Sequence, residues 1–163
     1  MSPPEKPIVL VGMMGAGKTT VGRKLALALG RDFYDVDTEI EKIAGKSIRQ
    51  IFQDRGEDGF RALEKSILGD LLGHQNAVIA AGGGVPPSDL AINIWLKGNL
   101  ETLYQRVAGD RSRPKVSEFE AFKTLYGARH PAYSRAQIHV DIAGDARHKT
   151  LEQILEALKK LDQ

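Results

Sequence analysis

Residues 12–19 carry Gly12, Gly15, Ala16, Gly17, Lys18 and Thr19 at the spacing G-x-x-x-x-G-K-[ST], followed by Thr20. That spacing is a phosphate-binding loop. An apolar run, Ile8 to Val11, leads into it, and a helical pattern (Val21, Leu25, Ala28, Leu29) leads out. The glycines let the chain curl so that backbone N–H groups face phosphate oxygens. The helix N-terminus behind them adds a partial positive charge. Lys18 is placed to reach the β- and γ-phosphates, and Thr19 to offer a hydroxyl to Mg2+. A plain glycine-rich turn would require neither residue.

Two carboxylates, Asp35 and Asp37, follow the second apolar run. At i, i+2 on an extended segment they point to one side. One could hold a metal-bound water while the other meets a substrate hydroxyl. The competing reading is capping: Asp37 or Thr38 starts a helix, with Thr38 and Glu41 as a capping box. Asp35 stands one residue further out, where capping does not explain it. The third apolar run ends in Ala80-Ala81 and then Gly82-Gly83-Gly84, with no acid where many phosphate-loop enzymes place an Asp for Mg2+. A metal there must borrow a carboxylate, and Asp35 is the best placed. Three successive glycines imply unusual φ values or close contact with a ligand, against a simple flexible turn.

Arginines supply the cations. Arg61 follows Gly59-Phe60 and lies within helical reach of Glu57 and Glu64, so surface pairing competes with a ligand role. Arg129 precedes His130-Pro131, where the proline limits helix continuation and a helix C-terminal cation is the competing reading. Arg106, Arg111 and Arg113 flank or fill a polar loop over 109–116. Solvated charge is the competing reading for each, but three cations around one insertion favour contact with a triphosphate, since guanidinium groups suit phosphate geometry. The four histidines form no metal-ligand spacing, Trp95 reads as core, and there is no Ser–His–Asp arrangement.

A parallel sheet is needed to bring these groups together. Five apolar runs, over 7–11, 33–36, 77–81, 92–96 and 137–142, are near-continuous rather than alternating, as in strands buried on both faces. Helical patterns separate them, which predicts a doubly wound α/β sheet binding ligands at the strands' carboxyl ends. A helical stretch from about 47 to 72, interrupted by Gly56 and Gly59, sits where a substrate-covering insertion (about 38–65) would form. The polar segment after Ala108 predicts a mobile lid over about 109–123. An amphipathic helix from Lys149 closes the chain. All 163 residues fit one domain.

With 42% apolar residues, a net charge of +2 and no Lys/Arg run, a small-molecule site is expected rather than nucleic-acid binding. Cysteines are absent, so no disulfide framework exists. No apolar run is long enough to span a membrane, and the N-terminus is polar and Pro-rich. A cytoplasmic monomer is the expectation.

Taken in order, the motifs resemble the shikimate kinase family of nucleoside monophosphate kinase-like P-loop proteins. The matching order is the loop through Arg23, then Asp35 and Asp37, then Gly56, Glu57, Phe60, Arg61 and Glu64. It continues with Gly82–Gly84, Arg111, Arg113 and Pro114, and Arg129, Pro131 and Tyr133. The resemblance implies a three-layer P-loop kinase fold with a five-stranded parallel sheet flanked by helices. It implies transfer of the ATP γ-phosphate to the 3-hydroxyl of shikimate, with Mg2+, in aromatic amino-acid biosynthesis. Asp37 would then orient or deprotonate the hydroxyl. Arg61 and Arg129 would hold the shikimate carboxylate, with Gly83 contacting ring hydroxyls. Thr19 would bind Mg2+ directly and Asp35 through a water. Arg113 would close over the phosphates. Arg106 would stack on adenine, and 144–148, with Arg147, would form the other adenine wall. A gluconate-type kinase is the alternative enzyme, and a P-loop nucleotide-binding module the alternative without chemistry. The D-x-D and G-G-G pair argues against the first, and the lack of an N-K-x-D guanine motif argues against a GTPase switch.

Overall fold

Ile8–Val11 form β1, entirely buried at the middle of a five-stranded sheet. The computed structural model describes residues 6–108, 116–142 and 147–161. After β1 come α1 (Lys18–Leu29), β2 (Asp32–Asp35), α2 (Val36–Ala44), α3 (Ile48–Leu72) and β3 (Ala77–Ala80). The chain continues as β4 (Ile92–Lys97), α4 (Leu100–Ala108), α5 (Val116–Tyr133), β5 (Ile138–Asp141) and α6 (Arg147–Leu161). Strand order is β2-β3-β1-β4-β5, and every pairing is parallel. This is the P-loop kinase α/β fold. The chain leaves β1 for the far side of β3, so order reverses at β1 and a crevice opens beyond its carboxyl end.

β1 and β3 are buried along their whole length, and β4 at every residue but its last, Lys97. The edge strand β2 is half-exposed, and β5 alternates, with Ile138 and Val140 inward and His139 and Asp141 outward. An edge strand has one covered flank fewer, and its composition follows.

One helix is interrupted where the sequence expected, and another departs from the expectation. α3 is two helices joined at Gly56, whose φ of 71° and ψ of −175° break the helical path. Phe52 and Phe60 stack across that kink at 4.7 Å and fix the angle between the halves. α5 does not end before Pro131 but runs through it to Tyr133. The proline forgoes one backbone bond, and helical bonding resumes with Ser134 N–H donating to His130 C=O at 3.0 Å. Residues 116–123, assigned to the lid segment, are the first turns of this helix. α6 buries Ile154 and Leu158 and is a packing element, as its pattern predicted.

Candidate active site

Gly12, Gly15 and Gly17 have φ of 146°, 87° and 89°, conformations that side chains rarely adopt. Gly12 and Gly15 also abut backbone: a Cβ there would lie 2.8 Å from the Leu96 and Leu103 carbonyl oxygens. The resulting loop walls a cavity of about 510 Å3 at the carboxyl end of β1. Residues 13–20 line it together with Asp35, Asp37, Ala81, Gly82, Gly83 and Arg106. Four separate segments of the chain thus meet at one hollow of ligand size.

Lys18 is half-buried, and its ammonium donates to the Gly12 carbonyl and to Met13 O at 3.2 Å. Burial lowers its pKa to about 8; Asp37 and Asp35 oppose that shift, and Arg129 adds to it. Thr19 Oγ1 donates to Asp35 Oδ2 at 2.5 Å, which leaves its lone pairs available to a cation. Asp35 Oδ1 accepts the Thr38 N–H at 3.1 Å.

Asp35 is therefore the N-cap of α2, contrary to the expectation that capping does not reach it. The helix starts at Val36, directly after the strand, so Asp37 lies in its first turn rather than on an extended segment. Negative charge is favoured there by the helix dipole. The Thr38–Glu41 capping box is not formed. Glu41 instead accepts the Ile48 N–H at 2.9 Å, tying α2 to the start of α3. Asp35 and Asp37 still share the cavity wall. Desolvation raises the pKa of Asp37, with Asp35 and Glu64 adding and Lys18 opposing.

On the far side, Arg61 Nη1 pairs with Glu64 Oε1 at 2.9 Å, and Nη2 approaches Glu57 at 3.7 Å. Both pairings foreseen for a surface arginine exist, yet they differ in kind. Glu57 is solvent-exposed and its pairing contributes little. Glu64 is 5% exposed, and its Oε2 has no hydrogen-bond partner. That atom would lie 2.8 Å from a Cβ on Gly82, and Asp37 Oδ1 would lie 3.4 Å from it. Glu64 occupies the apolar stripe Phe60, Ile67, Leu71 of α3. A charged residue at that period was the available signal, and sequence reasoning named it only as an ion-pair partner and as the end of a motif.

Arg129 does not act as a terminal cation of α5. Its positive charge acts on the Tyr133 phenol, and its Nη1 would lie 2.9 Å from a Cβ on Gly83. Tyr133, 2% exposed, donates in turn to the Gly83 carbonyl. Burial raises the pKa of this phenol, with Arg129 opposing. Tyr133 had been noted only as part of a motif. Arg106 reaches from the last turn of α4 to Gly15 O at 3.1 Å, beside the cavity. Arg111 and Arg113 lie outside the described residues, as do 144–146, and Arg147 is described only as the first residue of α6.

Among the described residues no group of three or more His, Asp or Glu could hold a metal alone. Thr19 and Asp35 fit the hard oxygen chemistry of Mg2+, which commonly takes one or two protein oxygens and completes its shell with phosphates and waters.

The family model described as Shikimate kinase matches residues 14–159. A shikimate kinase from Caulobacter vibrioides is 42% identical over 167 residues, covering 95% of this chain and 83% of its own length. The solved shikimate kinase of Acinetobacter baumannii in complex with shikimate superposes with a TM-score of 0.88 at 35% identity, covering 95% of this chain and 93% of that one. A gluconokinase from Sinorhizobium meliloti shares only the fold, at 18% identity and a TM-score of 0.63, with 96% and 93% covered. Loop, paired acids, glycine triplet and arginines occur here in one order and around one hollow, along a chain matched nearly end to end: it belongs to the shikimate kinase family.

Proposed function

We propose that this protein phosphorylates shikimate at its 3-hydroxyl with ATP, serving aromatic amino-acid biosynthesis. One observation carries the reading. Asp37, Arg61 and Arg129 each lie against the glycine triplet that adjoins the phosphate-loop cavity. A carboxylate beside two guanidiniums suits an acceptor bearing both a hydroxyl and a carboxylate.

In this reading the phosphate loop and Lys18 bind the β- and γ-phosphates. Arg61 and Arg129 hold the acceptor's carboxylate, and Gly82 to Gly84 bound its ring. Asp37 aligns the acceptor hydroxyl and takes its proton as that oxygen bonds to the γ-phosphorus. The bond from phosphorus to the β–γ bridging oxygen breaks, and ADP leaves. Such transfer is mostly positioning and charge neutralisation. When bound by Thr19 and, through water, by Asp35, Mg2+ supplies charge neutralisation at the phosphates. Arg113 covers the phosphates from a lid over about 109–123, which excludes competing water. Arg106 and Arg147 flank the adenine. The unpaired cations left by an acceptor without a carboxylate give specificity. A single domain, with its acceptor-covering insertion at about 38–65, works as a cytoplasmic monomer. No helix among the described residues is long and apolar enough to cross a membrane.

ADP release measured with ATP, Mg2+ and shikimate, against gluconate, AMP or no acceptor, tests this. Turnover dependent on shikimate is expected. Equal turnover with gluconate or without acceptor would overturn it.

A further inference from the structure

We infer that the Gly82-Gly83-Gly84 turn is a seat cut for charged side chains, and that Gly84 is a positioning residue acting through Arg61. None of the three glycines has a positive φ. Backbone conformation therefore does not require glycine here, which corrects the first of the two sequence expectations. What each position lacks is room. A Cβ on Gly82 would stand 2.8 Å from Glu64 Oε2, one on Gly83 2.9 Å from Arg129 Nη1, and one on Gly84 2.6 Å from Arg61 Nη1. Real Cβ contacts essentially never fall below 3.0 Å.

The partners closer than 3.0 Å are in every case tips of side chains; the one backbone neighbour, Met14 N, would lie at an ordinary 3.8 Å from a Cβ on Gly83. This separates the triplet from Gly12 and Gly15, which face carbonyl oxygens. Around Gly84 the contact is with a whole plane: Arg61 Cζ and Nη2 would both lie 2.9 Å from the added carbon. The guanidinium thus rests face-on against the bare residue, while Glu64 holds its edge at 2.9 Å.

The turn itself is the fixed partner. Ala81 N–H donates to Leu10 O at 3.1 Å and Val85 N–H to Gly82 O at 3.1 Å, and Tyr133 anchors the Gly83 carbonyl. An added methyl would move the guanidinium and leave the turn in place. Adjacent Cα atoms are only about 3.8 Å apart. Guanidiniums stopped against Gly83 and Gly84 therefore bear on two successive residues of one anchored turn. The inference rests on the proposed role of Arg61 and Arg129 as carboxylate ligands.

The test is a double-mutant cycle on Gly84→Ala and Arg61→Ala, with steady-state kinetics, calorimetric shikimate binding and thermal melting. Gly84→Ala should raise the shikimate KM and Kd about tenfold, the loss expected for one charge-assisted contact. Its kcat, ATP KM and melting temperature should stay near wild type. In the Arg61→Ala background, Gly84→Ala should change shikimate binding by less than about twofold. A raised KM in Arg61→Ala with none in Gly84→Ala overturns the seat and spares the arginine's role. No effect of Arg61→Ala overturns that role, and the seat with it. Independent, additive effects also overturn the seat. Should Gly84→Ala fail to fold, recovery of folding in the double variant supports the clash with Arg61, and no recovery overturns it.

Discussion

Thr19 and Asp35 are joined by a 2.5 Å hydrogen bond between hydroxyl and carboxylate, and the same carboxylate caps α2 through Thr38 N–H. One side chain thus serves a nucleotide-facing residue and a helix end. The two roles separate by substitution, because Asn caps a helix about as well as Asp while carrying no charge. Asp35→Asn should keep the melting temperature within about 2 °C and raise the Mg2+ concentration needed for half-maximal turnover several-fold. Asp35→Ala should lose about 1 kcal/mol of stability as well. Mg2+ titration of activity alongside thermal melting distinguishes these outcomes; an unchanged Mg2+ requirement in both variants removes Asp35 from the metal site.

Asp37 must be ionised to accept a proton, and its pKa is raised by desolvation first and then by Asp35 and Glu64. Activity is therefore lost as pH falls through a value above the ordinary carboxylate range. Glu64→Gln removes one of the negative charges that hold this value up. The acid limb of kcat/KM should move to lower pH in that variant, even though weaker support of Arg61 lowers the plateau. Asp37→Asn should reduce kcat by about a hundredfold or more with modest loss of binding. A limb that stays in place in Glu64→Gln would separate the two carboxylates.

Lys18 carries the opposite sign. Its pKa is lowered to about 8, so below that pH the folded protein holds an ammonium that burial disfavours. The unfolded chain keeps its proton to higher pH, and stability of the ligand-free protein should rise as pH climbs from about 8. Lys18→Met removes the penalty. Melting at pH 7 should increase by a few degrees, corresponding to about 1–2 kcal/mol, while turnover falls below detection. A lower melting point in Lys18→Met would show that the bonds to Gly12 and Met13 outweigh the cost of burial.

Tyr133→Phe deletes the hydroxyl that donates to the Gly83 carbonyl beside Arg129. The ring stays buried, so the fold should survive. Losing one buried link, about 1 kcal/mol, should raise the shikimate KM about fivefold and leave the ATP KM alone. Equal shifts in both constants would point to a general loosening of the loop.

Much of the site was legible because its parts are local. The phosphate loop, Asp37 and the glycine triplet are each a few consecutive residues, and short apolar runs marked the strands, though in β2 only Phe33 and Tyr34 carry the signal. What stayed hidden depends on distance in the chain. Residues 82 and 64 meet only after α3 packs on the sheet, so the sequence could not say that the glycines are bare to admit Glu64, Arg61 and Arg129. Asp35 was misjudged for a local reason: nothing in its neighbours distinguishes a helix beginning at Val36 from one beginning two residues later. Tyr133 was masked by Pro131, whose usual meaning as a helix stop is overridden here by the continued turn to Ser134.

The chain has one tryptophan, and it stands at an unusual post. Trp95 is 4% exposed, its ring 3.6 Å from where a Gly12 side chain would begin and 5.8 Å from that of Tyr133. His130 and His139 abut its edges at 4.8 and 5.1 Å. Its fluorescence therefore comes from one spot, wedged between the nucleotide loop and the helix bearing Arg129. The unlabelled protein thus carries a single indole, and its emission reports the packing where loop and helix meet.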